Sequence, residues 1–478
     1  MFNWKLLILI VVLACCILIL FLWAVGLFFS TKNNEPAKMR YEAELGELNG
    51  VTAAATTPGF SGSGYVTGFD AETDSVTLTV NVPEEGLYNL SVGYNAPNGD
   101  KVTQLSVNSN HVGEVLLKET SEFASTSGGK LLLSAGTNTI TLTSGWGWYD
   151  IDYIELQKTT VRKKHNIKPR LVNQNASVEA NTLIRFLADN YGRAILSGQQ
   201  TLSDVRWLHS TTDKKPAVVG FDLMDYSPSR VEHGARSIEI EEAMDWHEQG
   251  GIVTFAWHWN APAGLIDSEG KEWWHGFYQD ATTFDITYAL AHPDSEDYKL
   301  LIRDIDAIAV QLQRLEDARI PVLFRPLHEA EGGWFWWGSK GPEPAKELYR
   351  IMYDRLTNHH QINNLIWVWN SIDPAWYPGN DVVDIVSADH YSAPGDYNPV
   401  IAKYEELVSL VEDTKIVALT ENGAIPDPDL LIAYGAHWSW FCTWTGEFLF
   451  DDTHNSKEHL VYVYNHPYVI TLDELPDF

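Results

Sequence analysis

Beyond residue 178 the chain repeats one pattern: a short apolar run that ends on a polar or aromatic residue, in most cases followed by an amphipathic helix. The runs are Ala194–Gln199, Ala217–Met224, Ile252–Trp259, Pro321–Leu327, Leu365–Asn370, Asp384–His390, Ile416–Thr420 and Trp438–Thr443. Runs this short and this apolar suit parallel strands covered on both faces. Helical periodicity is clear at Ile238–Gln249, Tyr298–Ala318, Ala345–His359 and Pro399–Val411. Eight such runs predict a (β/α)8 TIM barrel over residues 179–478. A doubly wound sheet would instead show a Gly-rich phosphate turn after an early strand, and Ser197-Gly198-Gln199-Gln200 is not one.

The texture ahead of the barrel is different. Residues 39–158 are rich in Thr, Ser, Gly and Val and alternate with period two, as in Val76-Thr77-Leu78-Thr79-Val80-Asn81-Val82. Similar runs lie at Tyr88–Tyr94, Val102–Val107, Lys130–Leu133 and Thr137–Thr143, split by Gly, Asn and Pro turns. This predicts an all-β sandwich of jelly-roll type. Residues 159–178 are basic and polar, with Arg162, Lys163, Lys164, Lys168 and Arg170 around Pro169, and read as a solvated linker. At the front, Leu6 to Phe29 is 24 residues without a charge. At 1.5 Å per residue that run is about 36 Å long, enough to cross a hydrocarbon core. Residues 1–30 are therefore expected to form an uncleaved transmembrane signal anchor, with a cleaved signal peptide as the alternative. Either way the bulk of the chain is expected outside the cell.

Charge and cysteine narrow the function. The 478 residues carry 64 Asp+Glu against 33 Lys+Arg, a formal charge of −31. Nucleic-acid binding rests on clustered positive charge, so no nucleic-acid partner is expected. Cys442 is the one thiol beyond the apolar run, which leaves no disulfide and no Cys-rich zinc site in the folded part. Nineteen Trp is the unusual count, and fifteen of them fall after residue 178. Indoles in such number imply large cores or rings that face a ligand.

In a barrel of this kind the active site lies at the C-terminal ends of the strands. Those ends carry Gln199 and Gln200; Asp222 and Asp225; His258 and Trp259; His328 and Glu329; Trp369 and Asn370; Asp389, His390 and Tyr391; Glu421 and Asn422; and Trp444. Glu329 and Glu421 are each the first acid after a buried-looking strand, the fourth and the seventh. Strands four and seven stand across the barrel from each other, so the two carboxyls can flank one sugar linkage, as glycoside hydrolysis requires. His328-Glu329-Ala330-Glu331-Gly332 lacks the second His of a zincin, so no catalytic metal or other cofactor is expected. Trp334, Phe335, Trp336 and Trp337 follow directly, and Trp257, Trp259, Trp273, Trp274, Trp438 and Trp440 form further clusters. About half of these Trp are expected to line a sugar cleft and half to pack the core, with Trp207, Trp246 and Trp367 in the core.

The stretches Arg325-Pro326-Leu327-His328-Glu329, Gly333-Trp334-Phe335-Trp336-Trp337-Gly338, Ala418-Leu419-Thr420-Glu421-Asn422-Gly423 and Trp257-His258-Trp259-Asn260 resemble glycoside hydrolase family 26, chiefly its β-mannanases. The resemblance implies a retaining mechanism, with Glu329 as acid/base and Glu421 as nucleophile. It also implies that His258, His328, Trp334, Asp389 and Tyr391 bind substrate, with Trp440 or Trp444 contributed by strand eight; Trp274, from the Trp273-Trp274 cluster, is a further substrate-binding candidate.

The front segment resembles a family 35 carbohydrate-binding module through Tyr41-Glu42-Ala43-Glu44, Gly59-Phe60-Ser61-Gly62-Ser63-Gly64-Tyr65-Val66 and Gly145-Trp146-Gly147-Trp148-Tyr149-Asp150-Ile151-Asp152-Tyr153-Ile154-Glu155. Tyr65, Trp146 and Trp148 are its stacking candidates. Glu42, Glu44 and Asp152 are the implied ligands of a structural Ca2+, for which carboxylate oxygens are suited. The expected activity is endo-hydrolysis of β-1,4-mannan, galactomannan or glucomannan by a chain acting as a monomer. The alternatives are a β-1,3-1,4-glucanase, a β-1,3-xylanase, or a non-catalytic glycan-binding surface protein.

Overall fold

The computed structural model describes residues 36–476 and 478. The expected signal anchor lies outside the described residues, and within them no helix is long and apolar enough to cross a membrane.

The front segment is a sandwich of two antiparallel sheets. One runs in the order Thr52–Ala54, Tyr65–Thr67, Asp150–Lys158, Gly86–Asn95, Ala124–Leu133, with Lys38–Glu42 also paired to Asp150–Lys158. The other runs Glu47–Asn49, Ser75–Val82, Gly136–Trp146, Lys101–Val107, Asn110–Leu117. The period-two pattern decides which side chains go in. Val76, Leu78, Val80 and Val82 are buried while Thr77, Thr79 and Asn81 turn outward. Leu142 and Ile140 stand opposite Val76 and Leu78 in the next strand and fill the same layer.

The second segment is a closed parallel barrel of eight strands: β1 (Gly198–Gln200), β2 (Val218–Asp222), β3 (Ile252–Trp257), β4 (Val322–Pro326), β5 (Leu365–Asn370), β6 (Ile385–His390), β7 (Ile416–Asn422) and β8 (Phe441–Thr443). All eight expected runs supply a strand. The first run is split, because Ile195–Leu196 pairs with Val469–Ile470 outside the barrel. Closure between β1 and β8 is tight enough to need a glycine: a Cβ on Gly198 would stand 2.2 Å from the Phe441 carbonyl oxygen. The expected helix Ala345–His359 divides into a helix at Pro342–Tyr353 and a wider π turn at Asp354–His359.

The solvated linker is corrected. Leu171 is buried in the barrel core. The buried His165 ring is held between Asp413 (Nδ1 to Oδ1, 2.6 Å) and His437 (Nε2 to Nδ1, 2.8 Å). Lys168 N–H donates to the Thr414 carbonyl and Val172 N–H to Asp384. The segment is stitched to the barrel over much of its length.

Most of the Trp excess also proves to be core. Trp246, Trp257, Trp259, Trp336, Trp337, Trp367, Trp369, Trp438 and Trp440 are fully buried, nine of the fifteen in this segment. Trp257 and Trp259 stack with centroids 4.1 Å apart beneath the strand ends.

Candidate active site

The site is built at the C-terminal rim of β4, β6 and β7. Strand β4 carries one cation in an otherwise apolar run, Arg325. Its Nη1 donates to Asp389 Oδ2 at 2.8 Å and its Nη2 donates to Glu421 Oε1. All three side chains are almost fully buried. Burial works against the guanidinium charge, but the Asp389 and Glu421 carboxylates outweigh it and hold Arg325 above its usual range. Tyr391 reaches the other oxygen of Glu421, its hydroxyl donating at 2.6 Å. Glu421 is thus gripped on both oxygens.

A register shift between Ala388 and Asp389 puts Asp389 directly beside Glu421 across β6 and β7. Such an irregularity re-aims a side chain next to an active site. Asn370, at the end of β5, ties the layers together. Its Nδ2 donates to Asp389 Oδ1 at 2.9 Å and to Thr420 Oγ1 at 3.1 Å, and its Oδ1 accepts the Glu329 backbone N–H at 2.8 Å.

Glu329 sits on a strained turn. Leu327 and Glu329 have φ of 53° and 51°, left-handed values that cost a non-glycine residue about 1–3 kcal/mol each. The Asn370 bond offsets this, as does the Trp337 indole N–H, which donates to the His328 carbonyl at 3.0 Å. The turn lifts the Glu329 carboxyl into the opening, where the Trp334 indole N–H donates to it at 3.2 Å. Burial, and then the Glu421 charge, push its pKa up. One oxygen from each of Glu329, Asp389 and Glu421 lies within 4.8 Å of the other two. Arg325 already supplies the cation among these acids. Two carboxyls this close, one favouring its proton and one gripped by a guanidinium, form an acid/nucleophile pair.

Behind Glu329 lies a second polar chain. Asp222 accepts the His258 backbone N–H at 3.0 Å and bonds His258 Nδ1 at 2.5 Å. His258 Nε2 meets His328 Nε2 at 3.1 Å. Phe335 packs on both imidazoles, and Trp444 approaches His258 with centroids 6.3 Å apart.

The structure brings Glu329, Glu421, Tyr391 and Trp334 together; Trp444 borders them beside His258, whose two ring nitrogens are bonded to Asp222 and His328. Trp274 lies farther out on its loop, half-exposed against Trp273. Three assignments are corrected. Trp440 is fully buried, so of the strand-eight candidates only Trp444 reaches the site. The Asp389 side chain is buried under Arg325, Asn370 and Thr420 and cannot bond a sugar. His328 is buried, with Nε2 committed to His258. Both residues support the site from below. Arg325, Asn370 and Asp222 had no role assigned from sequence, although a lone Arg inside an apolar strand is itself a signal, because a buried cation must meet an acid.

In the front module Trp148 is 65% exposed on a turn with φ 72°, as a stacking platform should be. The Trp146 side chain lies outside the described residues. Tyr65 is corrected: it is buried against Phe60 and Phe123, with its hydroxyl bonded to Thr56 and Thr57. Glu42, Glu44 and Asp152 converge on the turn Ser61–Ser63. Ser61 bonds Glu42 and Asp152, and Ser63 bonds Glu44. Gly62 is needed there, since a Cβ would stand 2.7 Å from Glu44 Oε1 at a φ of +63°. Glu44 Oε2 is buried without a partner. An orphaned carboxylate oxygen among three acids fits a hard cation such as Ca2+.

The family model of glycosyl hydrolase family 26 matches residues 172–474, and that of carbohydrate binding module family 35 matches residues 39–159. A mannan endo-1,4-beta-mannosidase of Thermothelomyces thermophilus is 51% identical over 435 residues, covering 91% of this chain and 90% of that protein. Mannan endo-1,4-beta-mannosidase A of a Piromyces species is 36% identical over 455 residues, 92% of this chain and 73% of that protein. Among solved structures, the GH26-CBM35 beta-(1,4)-mannanase of Podospora anserina superposes with a TM-score of 0.68 at 51% identity, covering 92% of this chain and 98% of that one.

Proposed function

The chain belongs to glycoside hydrolase family 26 and carries a family 35 carbohydrate-binding module ahead of its barrel. On that premise we propose that it is an endo-acting mannan endo-1,4-β-mannosidase that works by double displacement through Glu329 and Glu421.

The observation that carries the mechanism is the closeness of the two carboxyls. Retaining enzymes hold them about 5–5.5 Å apart and inverting enzymes about 6.5–9.5 Å, to leave room for a water. Oxygens of Glu329 and Glu421 lie within 4.8 Å, which fits retention. Glu329, kept protonated by burial and by Glu421, donates to the glycosidic oxygen as that bond breaks. Glu421, oriented by Arg325 and Tyr391, attacks the anomeric carbon to form the glycosyl-enzyme. Glu329, now a carboxylate, takes a proton from water, and the hydroxide displaces Glu421. Trp334 touches the acid/base and presents an indole face to the sugar, while Trp274 offers a second face farther along the cleft. No step needs a cofactor.

The relatives named above are mannanases, so the glucan and β-1,3-xylan alternatives are not favoured. The poised acid pair likewise speaks against a binding protein that has lost its activity. The uncharged run Leu6–Phe29 supports action outside the cell, anchored or released. Sequencing the N-terminus of the mature protein decides between those two.

The test is Glu421→Ala. Release of reducing ends from galactomannan, glucomannan and linear mannan is abolished while the melting transition stays cooperative. Near-normal turnover in that variant sinks the assignment.

A further inference from the structure

Glu331 has no part in the chemistry described above, yet both oxygens of its carboxylate are engaged. We propose that Glu331 is a positioning residue for the acid/base: it clamps the apex of the turn that lifts Glu329 to the loop leaving β5, and so fixes where the proton donor stands over the cleft. The proposal deepens the function above and rests on Glu329 being the proton donor.

Three consecutive residues make the clamp. The Ser371 hydroxyl donates to Glu331 Oε2 at 2.5 Å, the Asp373 N–H donates to the same oxygen at 3.0 Å, and the Ile372 N–H donates to Oε1 at 3.3 Å. A carboxylate has acceptor sites for all three and no donor to turn against them. Bonds to a charged acceptor are also stronger than those between neutral groups. Glu331 is exposed, where a long acid has water to bond and rotamers to keep. Its commitment to three donors on one loop is therefore not forced by burial. The receiving loop is itself firm. Ser371 is buried, and Asp373 caps the short helical turn Pro374–Trp376, its carboxylate accepting the Ala375 N–H at 2.9 Å.

The turn needs a hold from outside, because its own bonds fix its shape and not its tilt. Leu327 and Glu329 are left-handed, and Gly333 follows with φ of 71°. Within the turn, the Gly332 N–H donates to the Glu329 carbonyl at 3.1 Å and the Gly333 N–H to the Ala330 carbonyl at 3.2 Å. At its base Asn370 Oδ1 accepts the Glu329 N–H, and past its far end the Trp334 carbonyl accepts the Gln279 N–H at 2.8 Å. Between those points Glu331 joins the apex to the neighbouring loop. Asn370 and Ser371 to Asp373 are consecutive, so base and apex are tied to one stretch of chain leaving β5. Glu329 is held between the two ties. A proton donor must stand within hydrogen-bond reach of the glycosidic oxygen, and misplacement by about 1 Å costs about 100-fold in rate.

The experiment is Glu331→Ala, which removes the clamp and leaves both carboxyls of the acid pair in place. The kcat for unactivated manno-oligosaccharides is expected to fall about 100-fold with KM little changed, as misplacing a reacting group implies. The kcat/KM for a dinitrophenyl mannobioside, whose leaving group needs no proton, changes little. Glu331→Gln, which keeps an oxygen within reach of Ser371 and Asp373, recovers most of the loss. In a Glu329→Ala background, Glu331→Ala adds no further loss on manno-oligosaccharides, because the group it positions is gone. Equal losses on both substrates, an additive loss in the double variant, or parent turnover in Glu331→Ala overturns the proposal. If Glu331→Ala does not fold, Ser371→Ala, which removes one of the three donors, is read the same way: a smaller loss confined to the unactivated substrate supports the clamp, and an equal loss on both substrates, or none, refutes it. Glu329→Ala alone separates the two levels. If it hydrolyses manno-oligosaccharides at the parent rate, the proton donor has been misread and the proposal falls with it; if it is impaired and Glu331→Ala is not, the clamp alone is refuted.

Discussion

Arg325 is the residue on which the acid pair depends most, and its removal can be put in numbers. Its guanidinium is 4% exposed and bonds two carboxylates that are 3% and 5% exposed. Deleting one partner of a buried ion pair costs about 3–5 kcal/mol, because the other is left uncompensated. A barrel segment of about 300 residues unfolds with an entropy of roughly 0.6 kcal/mol/K, at about 2.1 cal/mol/K per residue. Arg325→Ala should therefore lower Tm by about 5–8 °C. Three carboxyls within 4.8 Å then lack their shared cation. Glu421 also loses the donor that orients it, so turnover should fall about 100-fold, as misplacing a reacting group implies. Arg325→Lys keeps the charge but not the two-armed reach, and should lie between the two. Scanning calorimetry and initial rates of reducing-end release from galactomannan measure both effects. Wild-type Tm and turnover in Arg325→Ala would refute the reasoning.

Glu329→Ala removes a proton donor that contributes about 10²- to 10⁴-fold, so polymer hydrolysis should fall by that much while bond cleavage in a dinitrophenyl glycoside, read in a single turnover, falls far less; equal losses would contradict the role. In the module, burial and then the Glu42 and Glu44 charges push Asp152 up to about 6. The folded acid holds its proton more tightly than the unfolded one, so its contribution to stability is full below about pH 4 and lost as pH rises through about 6. Ca2+ replaces that proton: calorimetry of the whole chain should show a Ca2+-dependent rise in melting temperature above about pH 6 that shrinks towards pH 5, and a gain independent of pH would count against the site. Trp148→Ala should weaken retention on insoluble mannan roughly threefold to tenfold, the share of one stacked aromatic ring, and undiminished retention would remove Trp148 from the binding face.

The barrel was readable because buried parallel strands must be apolar throughout, so each run stands out against its amphipathic neighbours. Glu329 and Glu421 were readable for the same reason, as the first acids to follow such runs. Depth was not readable. Asp389 and Tyr391 are two apart at one strand end, yet a shifted register buries the first and leaves the second half-exposed. His328 and Glu329 are adjacent, and only the left-handed turn decides that the histidine goes under and the acid goes up. The helix Leu202–Thr212 escaped notice because part of what it buries is polar, Asp204 and Thr212. Asp204 is satisfied by Thr445, 241 positions away. The linker misled in another way: its Lys and Arg side chains are exposed, yet Asp413 and His437 from the far end of the chain enclose His165 between them.

The burial of nine of the barrel segment's fifteen indoles bears on how ligand binding to this protein can be watched. Most of the barrel segment's indoles are thus rings shut away from sugar and from solvent-borne quenchers. Iodide, repelled by a chain of charge −31, would sample even the exposed rings poorly. Total fluorescence should therefore follow unfolding closely and substrate binding faintly, the oligosaccharide altering Trp334, Trp444 and Trp274 in the cleft and Trp148 in the module against a large constant background.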